Sequence, residues 1–282
     1  MSEVKKKTTL INGVQIPSVG FGTWQIPDGD DCTNAVKCAI EAGYRHIDTA
    51  AMYKNERSVG EAVRSCQIAR EDIFVTSKLW NKCRGYDMTF SGFERTMEKL
   101  GLEYLDLYLI HWPASPSQYD DFDRINLQTL RAMIDIYKSG RVKAIGVSNF
   151  LPHHLASLCE CEIAPMVNQI ELHPGYLQKE TIDFCRERGI VIEAWSPLGS
   201  GRVLSDERLM RIADKYGKSS AQISVRWCLE NGFIPLPRSS NSNRIKENID
   251  VFDFELSDED NEEINSFEVF GTSGYHPDEI DF

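Results

Sequence analysis

The stretch Tyr44-Arg45-His46-Ile47-Asp48-Thr49-Ala50-Ala51-Met52-Tyr53-Lys54-Asn55-Glu56 decides how the rest of the chain is organised. A β-rich run, His46 to Asp48, follows the helix-stopping Gly43 and ends on a carboxylate. After a short loop it gives way to an amphipathic stretch from Asn55 to Cys66. Strand, loop and helix in that order form the unit of a parallel sheet. Taken alone, Asp48 is a capped strand end and Tyr53 is one of 10 tyrosines resting on a surface.

The unit recurs along the chain. Strands are expected at Ser18 to Gly20, His46 to Asp48, Ile73 to Ser77, Leu105 to Ile110, Ala144 to Val147, Val167 to Ile170, Val191 to Ala194 and Phe233 to Pro235. Helical periodicity falls between them, at Asp31 to Ala42, Asn55 to Cys66, Ser91 to Leu100, Leu127 to Ser139, Pro152 to Cys159, Lys179 to Arg188, Ala221 to Glu230 and Ser242 to Ile249. Eight such pairs predict a closed (β/α)8 TIM barrel in one domain over residues 1–282. Asn12-Gly13 predicts a two-residue turn in a hairpin ahead of the barrel, between Thr8 to Leu10 and Val14 to Ile16. An extra helix is expected near Asp206 to Tyr216, and a last one opens at Ser257 with an acidic first turn. The tail from Phe270 to Phe282 is expected over the barrel mouth.

Composition narrows the function. Of 282 residues, 41% are apolar and 26% charged, ordinary for a globular chain. A net charge of −12 argues against nucleic acid, so an anionic ligand needs a local basic pocket. Lys5-Lys6-Lys7 has no apolar run after it, and no window approaches the roughly 18 apolar residues of a membrane span. A cytoplasmic monomer is expected. The 8 cysteines are scattered, Cys159 and Cys161 point in different directions on one helix, and no metal site is expected.

In such a barrel the C-terminal ends of the strands carry the chemistry. Those ends deliver Gly22-Thr23-Trp24, Asp48, Lys78 with Trp80, His111-Trp112, Ser148-Asn149, Asn168-Gln169 with Glu171, Trp195-Ser196 and Arg238-Ser239. Lys78 and His111 leave almost wholly apolar strands for the rim. With Asp48 and Tyr53 they suggest one device. A phenol titrates near 10, and a neighbouring ammonium favours its phenolate, so Lys78 is expected to lower the Tyr53 pKa. Asp48 would keep Lys78 charged in a partly dry pocket, and His111 would orient and polarise a carbonyl as a neutral ring. Such a site donates a proton but supplies no electrons.

The electrons require a cofactor, and no Gly-x-Gly-x-x-Gly turn joins a strand to a helix. A different anion site appears in Pro237-Arg238-Ser239-Ser240-Asn241-Ser242-Asn243-Arg244-Ile245-Lys246-Glu247-Asn248, where two arginines flank hydroxyls at a helix start. An ordinary capped helix start explains the same residues.

Five stretches together resemble the aldo-keto reductase superfamily: Gly20-Phe21-Gly22-Thr23-Trp24, Gly43-Tyr44-Arg45-His46-Ile47-Asp48-Thr49-Ala50, Leu109-Ile110-His111-Trp112-Pro113, Gly146-Val147-Ser148-Asn149-Phe150 and Arg244-Ile245-Lys246-Glu247-Asn248. The resemblance implies reduction of aldehydes and ketones by NADPH, with a tetrad of Asp48, Tyr53, Lys78 and His111 in which Tyr53 is the acid. It places Gly22 and Thr23 beside the cofactor and Ser148, Asn149 and Gln169 on the carboxamide. Trp195 would stack on the nicotinamide, and Ser196, Leu198 and Ser200 would lie over the pyrophosphate. Arg238, Ser239 and Arg244 fall to the 2′-phosphate, and Glu247 and Asn248 to the adenine. Tryptophan at 195 is similar to the microbial 2,5-diketo-D-gluconate reductase branch. Arg238 stands where the family usually has lysine, which leaves NADH also open. Trp24, Trp80 and Trp112, with His111, are expected to wall the substrate pocket, helped by the loop from Ala114 to Asn126.

Two other readings stay open at this point. One is a barrel that binds NADPH as a sensor or structural subunit with little turnover. The other is a hydrolase using Glu171 and Glu193 as paired carboxylates. Against it, strand alternation is expected to turn Glu193 away from the pocket.

Overall fold

An antiparallel pair, β1 (Lys7–Thr9) and β2 (Gln15–Pro17), opens the computed structural model, which describes residues 6–269 and 271–282. Lys5 and Phe270 lie outside the described residues. The pair is joined by a longer loop than Asn-Gly predicts. Leu10 N–H donates to the Val14 carbonyl, and Gly13 alone takes the left-handed conformation, at φ 86°. Asn12 instead spends its side chain on Val14 N–H and the Lys143 carbonyl, which fastens the hairpin to the barrel.

Eight parallel strands follow in chain order: β3 (Phe21–Gly22), β4 (His46–Asp48), β5 (Phe74–Leu79), β6 (Leu107–Ile110), β7 (Ile145–Ser148), β8 (Val167–Glu171), β9 (Val191–Trp195) and β10 (Ile234–Leu236). The first and last strands meet through Gly20 N–H on the Pro235 carbonyl and Gly22 N–H on the Pro237 carbonyl, at 3.0 and 3.1 Å. The ring is thereby closed. A Cβ on Gly20 would sit 2.4 Å from Leu236 and 2.7 Å from the His46 ring, so the strands approach this closely only with glycine there. The expected first strand, Ser18 to Gly20, is displaced onto Phe21 and Gly22, because pairing with β4 is in register at Phe21↔Ile47 and Gly22↔Asp48.

Each barrel strand is followed by a helix: α1 (Asp30–Glu41), α2 (Glu56–Ser65), α3 (Tyr86–Leu100), α4 (Phe122–Lys138), α5 (Pro152–Cys159), α6 (Lys179–Glu187), the extra α7 (Glu207–Tyr216), α8 (Ser220–Glu230) and α9 (Ser242–Ile249). A last helix, α10 (Asp258–Asn265), is capped by the Ser257 hydroxyl on Asp260 N–H. Both α3 and α4 begin earlier than apolar periodicity predicts, so residues 122–126 of the expected substrate loop are helical. Their first turns carry polar residues such as Asp87, Asp123 and Arg124, which hide the helix from a count of apolar positions. Ile47, Val75 and Ile145 are buried between sheet and helices, while His46, Asp48, Thr76 and Lys78 fill the barrel interior.

Helix α2, which follows the Tyr53 loop, lies against the end of α3 across Gly60. A Cβ there would fall 1.9 Å from the Leu100 carbonyl oxygen and 2.7 Å from its Cα, both backbone atoms that cannot step aside. Gly60→Ala is therefore expected to lower stability by about 3 kcal/mol, the range of a forced overpacking. The midpoint of urea unfolding measures this. A midpoint equal to that of the unchanged protein would show that the two helices part freely.

Candidate active site

Strand register brings the four expected residues into one pocket. Asp48 ends β4 and Lys78 lies near the end of β5, where Asp48 pairs with Thr76 two residues before it. Lys78 Nζ donates to Asp48 Oδ1 at 2.6 Å, to the Thr49 carbonyl at 3.0 Å and to the Tyr53 hydroxyl oxygen at 3.2 Å. All three ammonium donors are used. Tyr53 sits on a short 3-10 turn, Ala51–Tyr53, and its ring lies 5.5 Å from that of His111 and 4.9 Å from Trp24. Because Lys78 occupies a lone pair of the phenol oxygen, the O–H itself is left to point elsewhere.

The loop that carries Tyr53 is held by a residue the sequence pattern did not single out. Asn55 is fully buried, donates to the Thr23 and Ile26 carbonyls, and accepts from the Thr49 hydroxyl. A buried side-chain amide with every group paired rigidifies its surroundings. Nothing in the residue type separates such an asparagine from a turn asparagine.

The electrostatics depart from expectation at Tyr53. Burial pushes the phenol up, Lys78 pulls it down and Asp48 pushes it up, and the net direction is up. The expected pull of Lys78 is present but outweighed, because burial of much of the half-buried phenol and the nearby Asp48 carboxylate both oppose a phenolate. At Lys78, burial works downward but Asp48 and Tyr53 outweigh it, so the ammonium is held charged. Burial, then Lys78, drives His111 well below its ordinary value. Neutral phenol, ammonium and neutral imidazole therefore stand side by side.

Around them the rim is assembled with strained backbone. Among the described residues, the non-glycine positions with left-handed φ are Gln25, Lys54, Asn149, Ser196 and Ser200. The first four directly follow Trp24, Tyr53, Ser148 and Trp195. Each such conformation costs on the order of 1 kcal/mol or more, and it persists where the surroundings over-determine it.

The other expected residues divide. Ser148 donates to the Gln169 carbonyl, and Asn149 donates to the His111 carbonyl and accepts from Trp195 Nε1 at 2.8 Å. Gln169 Nε2 donates to Asp48 Oδ2 at 2.9 Å. Thr23 is turned inward, its hydroxyl committed to the Asp48 carbonyl. Ser196 and Ser200 are bonded to each other on a loop that runs past Leu198 into a 3-10 stretch. Arg238, Ser239, Arg244, Glu247 and Asn248 lie together after β10 and along α9. The start of α9 is partly taken, since the Asn241 side chain accepts from Asn243 and Arg244 N–H. What remains for an anion is the side chains. Among the described residues, Arg238 donates to the neutral Trp24 carbonyl and Gln25 amide, and neither Arg238 nor Arg244 pairs with a carboxylate. Uncompensated guanidinium charge beside the buried Ser239 fits a phosphate-bearing cofactor.

The tail closes one side of the pocket. Phe282 stacks on Trp80 at 5.7 Å and meets Trp112 edge-on, and Tyr275 also touches Trp112. His153, His154 and Asp278 come within 4.8 Å of one another. His154 Nδ1 accepts from Leu151 N–H at 3.2 Å, which puts the proton of this neutral ring on Nε2, facing Asp278. That nitrogen has no lone pair for a metal, and the group acts as a clasp between α5 and the tail.

Glu171 and Glu193 do not form a hydrolytic pair. Glu171 is bonded to Ser273 of the tail. Glu193 is fully buried and, contrary to expectation, faces the interior, because it and Trp195 are two apart on one strand and share a face.

Residues 18–269 match the sequence profile of the Aldo/keto reductase family. The chain belongs to that family. It is 47% identical over 282 residues to a glyoxal reductase of Bacillus subtilis (strain 168), covering 100% of this chain and 99% of the relative. Among solved structures, an aldo-keto reductase from a Medee basin deep-sea metagenome library superposes with a TM-score of 0.92 at 43% identity, covering 98% of this chain and 100% of that one. An aldo-keto reductase of Bombyx mori in complex with NADP gives a TM-score of 0.84 at 38% identity, covering 93% and 92%. As an aldo/keto reductase, the protein is an oxidoreductase acting on carbonyl groups.

The buried pair at the centre of this reductase sets its stability as well as its site. Lys78→Met would leave the Asp48 carboxylate buried without its cation and is expected to lower stability by about 3–5 kcal/mol. Combining it with Asp48→Asn should recover much of that loss, so that the two changes are strongly non-additive in a double-mutant cycle. Urea unfolding of the four proteins measures it, and simple additivity would show that water already screens the pair.

Proposed function

We propose that Tyr53 is the proton donor in an NADPH-dependent reduction of aldehydes and ketones. The observation that carries this reading is the Tyr53 oxygen 3.2 Å from Lys78, with Lys78 in turn 2.6 Å from Asp48 and the neutral His111 ring alongside. Bound NADPH supplies the hydride. Tyr53 presents its O–H to the carbonyl oxygen, His111 orients that oxygen, and Lys78 stabilises the charge left on the phenol as its proton departs. Asp48 keeps Lys78 charged. Tyr53→Phe is expected to lower kcat by at least about 10²-fold while leaving NADPH affinity intact. Stopped-flow single turnover and fluorescence titration read the two quantities. Unchanged turnover overturns the assignment.

On the cofactor side, Ser148, Asn149 and Gln169 would hold the carboxamide and Trp195 the ring face. Asn149 would do so through Oδ1, which accepts from Trp195 Nε1 and keeps a second lone pair. Ser196, Leu198 and Ser200 would lie over the pyrophosphate, and Gly22 would border the cofactor, while the wholly buried Thr23 supports the Asp48 strand end from behind. Glu247 and Asn248 would meet the adenine. Arg238, Ser239 and Arg244 would meet the 2′-phosphate and so favour NADPH over NADH. Arg244→Ala is expected to weaken NADPH binding about tenfold or more and NADH binding by less than about twofold. Equal losses for both would remove Arg244 from the phosphate site.

Trp24, Trp80, Trp112 and Phe282 make an aromatic wall that suits a small carbonyl compound. The glyoxal reductase relative supports short dicarbonyls as the first substrates to assay. No described helix is long and apolar enough to cross a membrane. We take the working unit to be one reductase domain over residues 1–282, acting as a cytoplasmic monomer.

A further inference from the structure

The reaction described above leaves Glu193 without a task, yet no solvent reaches it and it lies directly behind the tetrad. Its Oε2 accepts from Gln169 Nε2 at 2.7 Å, and the same nitrogen donates to Asp48 Oδ2 at 2.9 Å. An amide nitrogen has two hydrogens, and both are used. Asp48, paired with Lys78, can only accept, so the nitrogen end of Gln169 must face the two acids. The oxygen end is turned away from them, and it is the end that suits the N–H of a nicotinamide carboxamide. On its other side Glu193 Oε1 lies 3.6 Å from His46 Nε2, which is 3.1 Å from the Thr76 hydroxyl.

We infer that Glu193 is a positioning residue of this reductase: together with Asp48 it clamps Gln169, which presents its amide oxygen to the cofactor carboxamide and steadies the Asp48–Lys78 pair. The inference rests on the reductase reading and adds a residue to it. The titratable groups facing Glu193 are His46 and Asp48 from β4 and Lys78 from β5. On β8 it meets the uncharged Gln169. Burial lowers the His46 imidazole to about 3, so that ring is neutral, and the Lys78 ammonium is committed elsewhere. Two carboxylates sharing one amide nitrogen repel unless one keeps its proton. Burial and then Asp48 push Glu193 up to about 8, against the pull of Gln169 and Lys78. At neutral pH the layer then holds one positive and one negative charge. Ionisation above that point places a second anion behind Asp48, where it competes for Lys78.

Glu193→Leu and Glu193→Gln test this. The leucine has similar bulk but no acceptor, and it is expected to weaken NADPH binding and lower kcat by about tenfold each. Binding of 2′,5′-ADP, which lacks the nicotinamide, should not change. Glutamine restores an uncharged acceptor and should rescue most of the loss. The unchanged enzyme is expected to lose kcat/KM with a midpoint at about 8 as Glu193 ionises, and glutamine should remove that fall. Glu193→Leu that binds NADPH like the parent, or that loses 2′,5′-ADP affinity to the same degree, overturns the inference. So does a glutamine variant that keeps the alkaline fall, which decides the matter even if the leucine variant does not fold. A parent protein that fails to oxidise NADPH whichever carbonyl compound is added overturns the reading of NADPH-dependent carbonyl reduction itself.

Discussion

The barrel end is organised by the buried contact between Lys78 and Asp48. Removing two charges from water costs several kcal/mol per ion, and mutual attraction offsets this only when the remaining lone pairs and protons are also satisfied. Here they are. Lys78 places its donors on Asp48, the Thr49 carbonyl and Tyr53, and Asp48 accepts from Gln169 with its second oxygen. Each partner is delivered by a different segment: β4 and the loop after it, β5, and β8 across the barrel. The ion pair takes this geometry in the closed ring, which ties the Gly20 and Gly22 contacts, with Gly22 in register beside Asp48, to the chemistry.

Much of this was legible because polar residues follow apolar strands. Lys78 comes after Ile73-Phe74-Val75 and His111 after Leu107-Tyr108-Leu109-Ile110, and in a (β/α)8 barrel that pattern has one destination. What stayed hidden depends on depth and on pairing. A lysine beside a tyrosine reads as a lowered phenol pKa, but the net direction depends on how much water the ring loses, and residue types do not carry that. Glu193 was misplaced for a related reason. Alternation along β9 reads as turning Glu193 away from the pocket, whereas it shares a face with Trp195, points inward and is held by an amide that already serves Asp48.

The tail shows a different limit. Its residues carry no periodicity, and their positions come from contacts far along the chain: Ser273 on Glu171, Asp278 against His153 and His154, and Phe282 on Trp80. Each anchor is a polar or aromatic pair with no short-range signal. The same holds for Asn55, whose task as the fastening of the Tyr53 loop follows from carbonyls supplied by residues 23 and 26.

The raised phenol and the held ammonium make sense together when the states before and after proton transfer are compared. Before transfer, Tyr53 is neutral and its contact with Lys78 is an ordinary hydrogen bond, so burial and Asp48 keep the proton in place. In the proposed reaction the proton's departure leaves a phenolate against the same ammonium, at the same distance, with little water between. An interaction that strengthens as the reaction proceeds lowers the barrier, whereas one that is equally strong throughout does not. Asp48 therefore has an optimum rather than a maximum. Too weak a hold would let Lys78 lose its charge in the dry interior, and too strong a negative environment would cancel the charge that Tyr53 needs. A second ionised acid behind Asp48 would shift that balance the wrong way, and for this reason the protonation of Glu193 bears on a proton transfer it never touches.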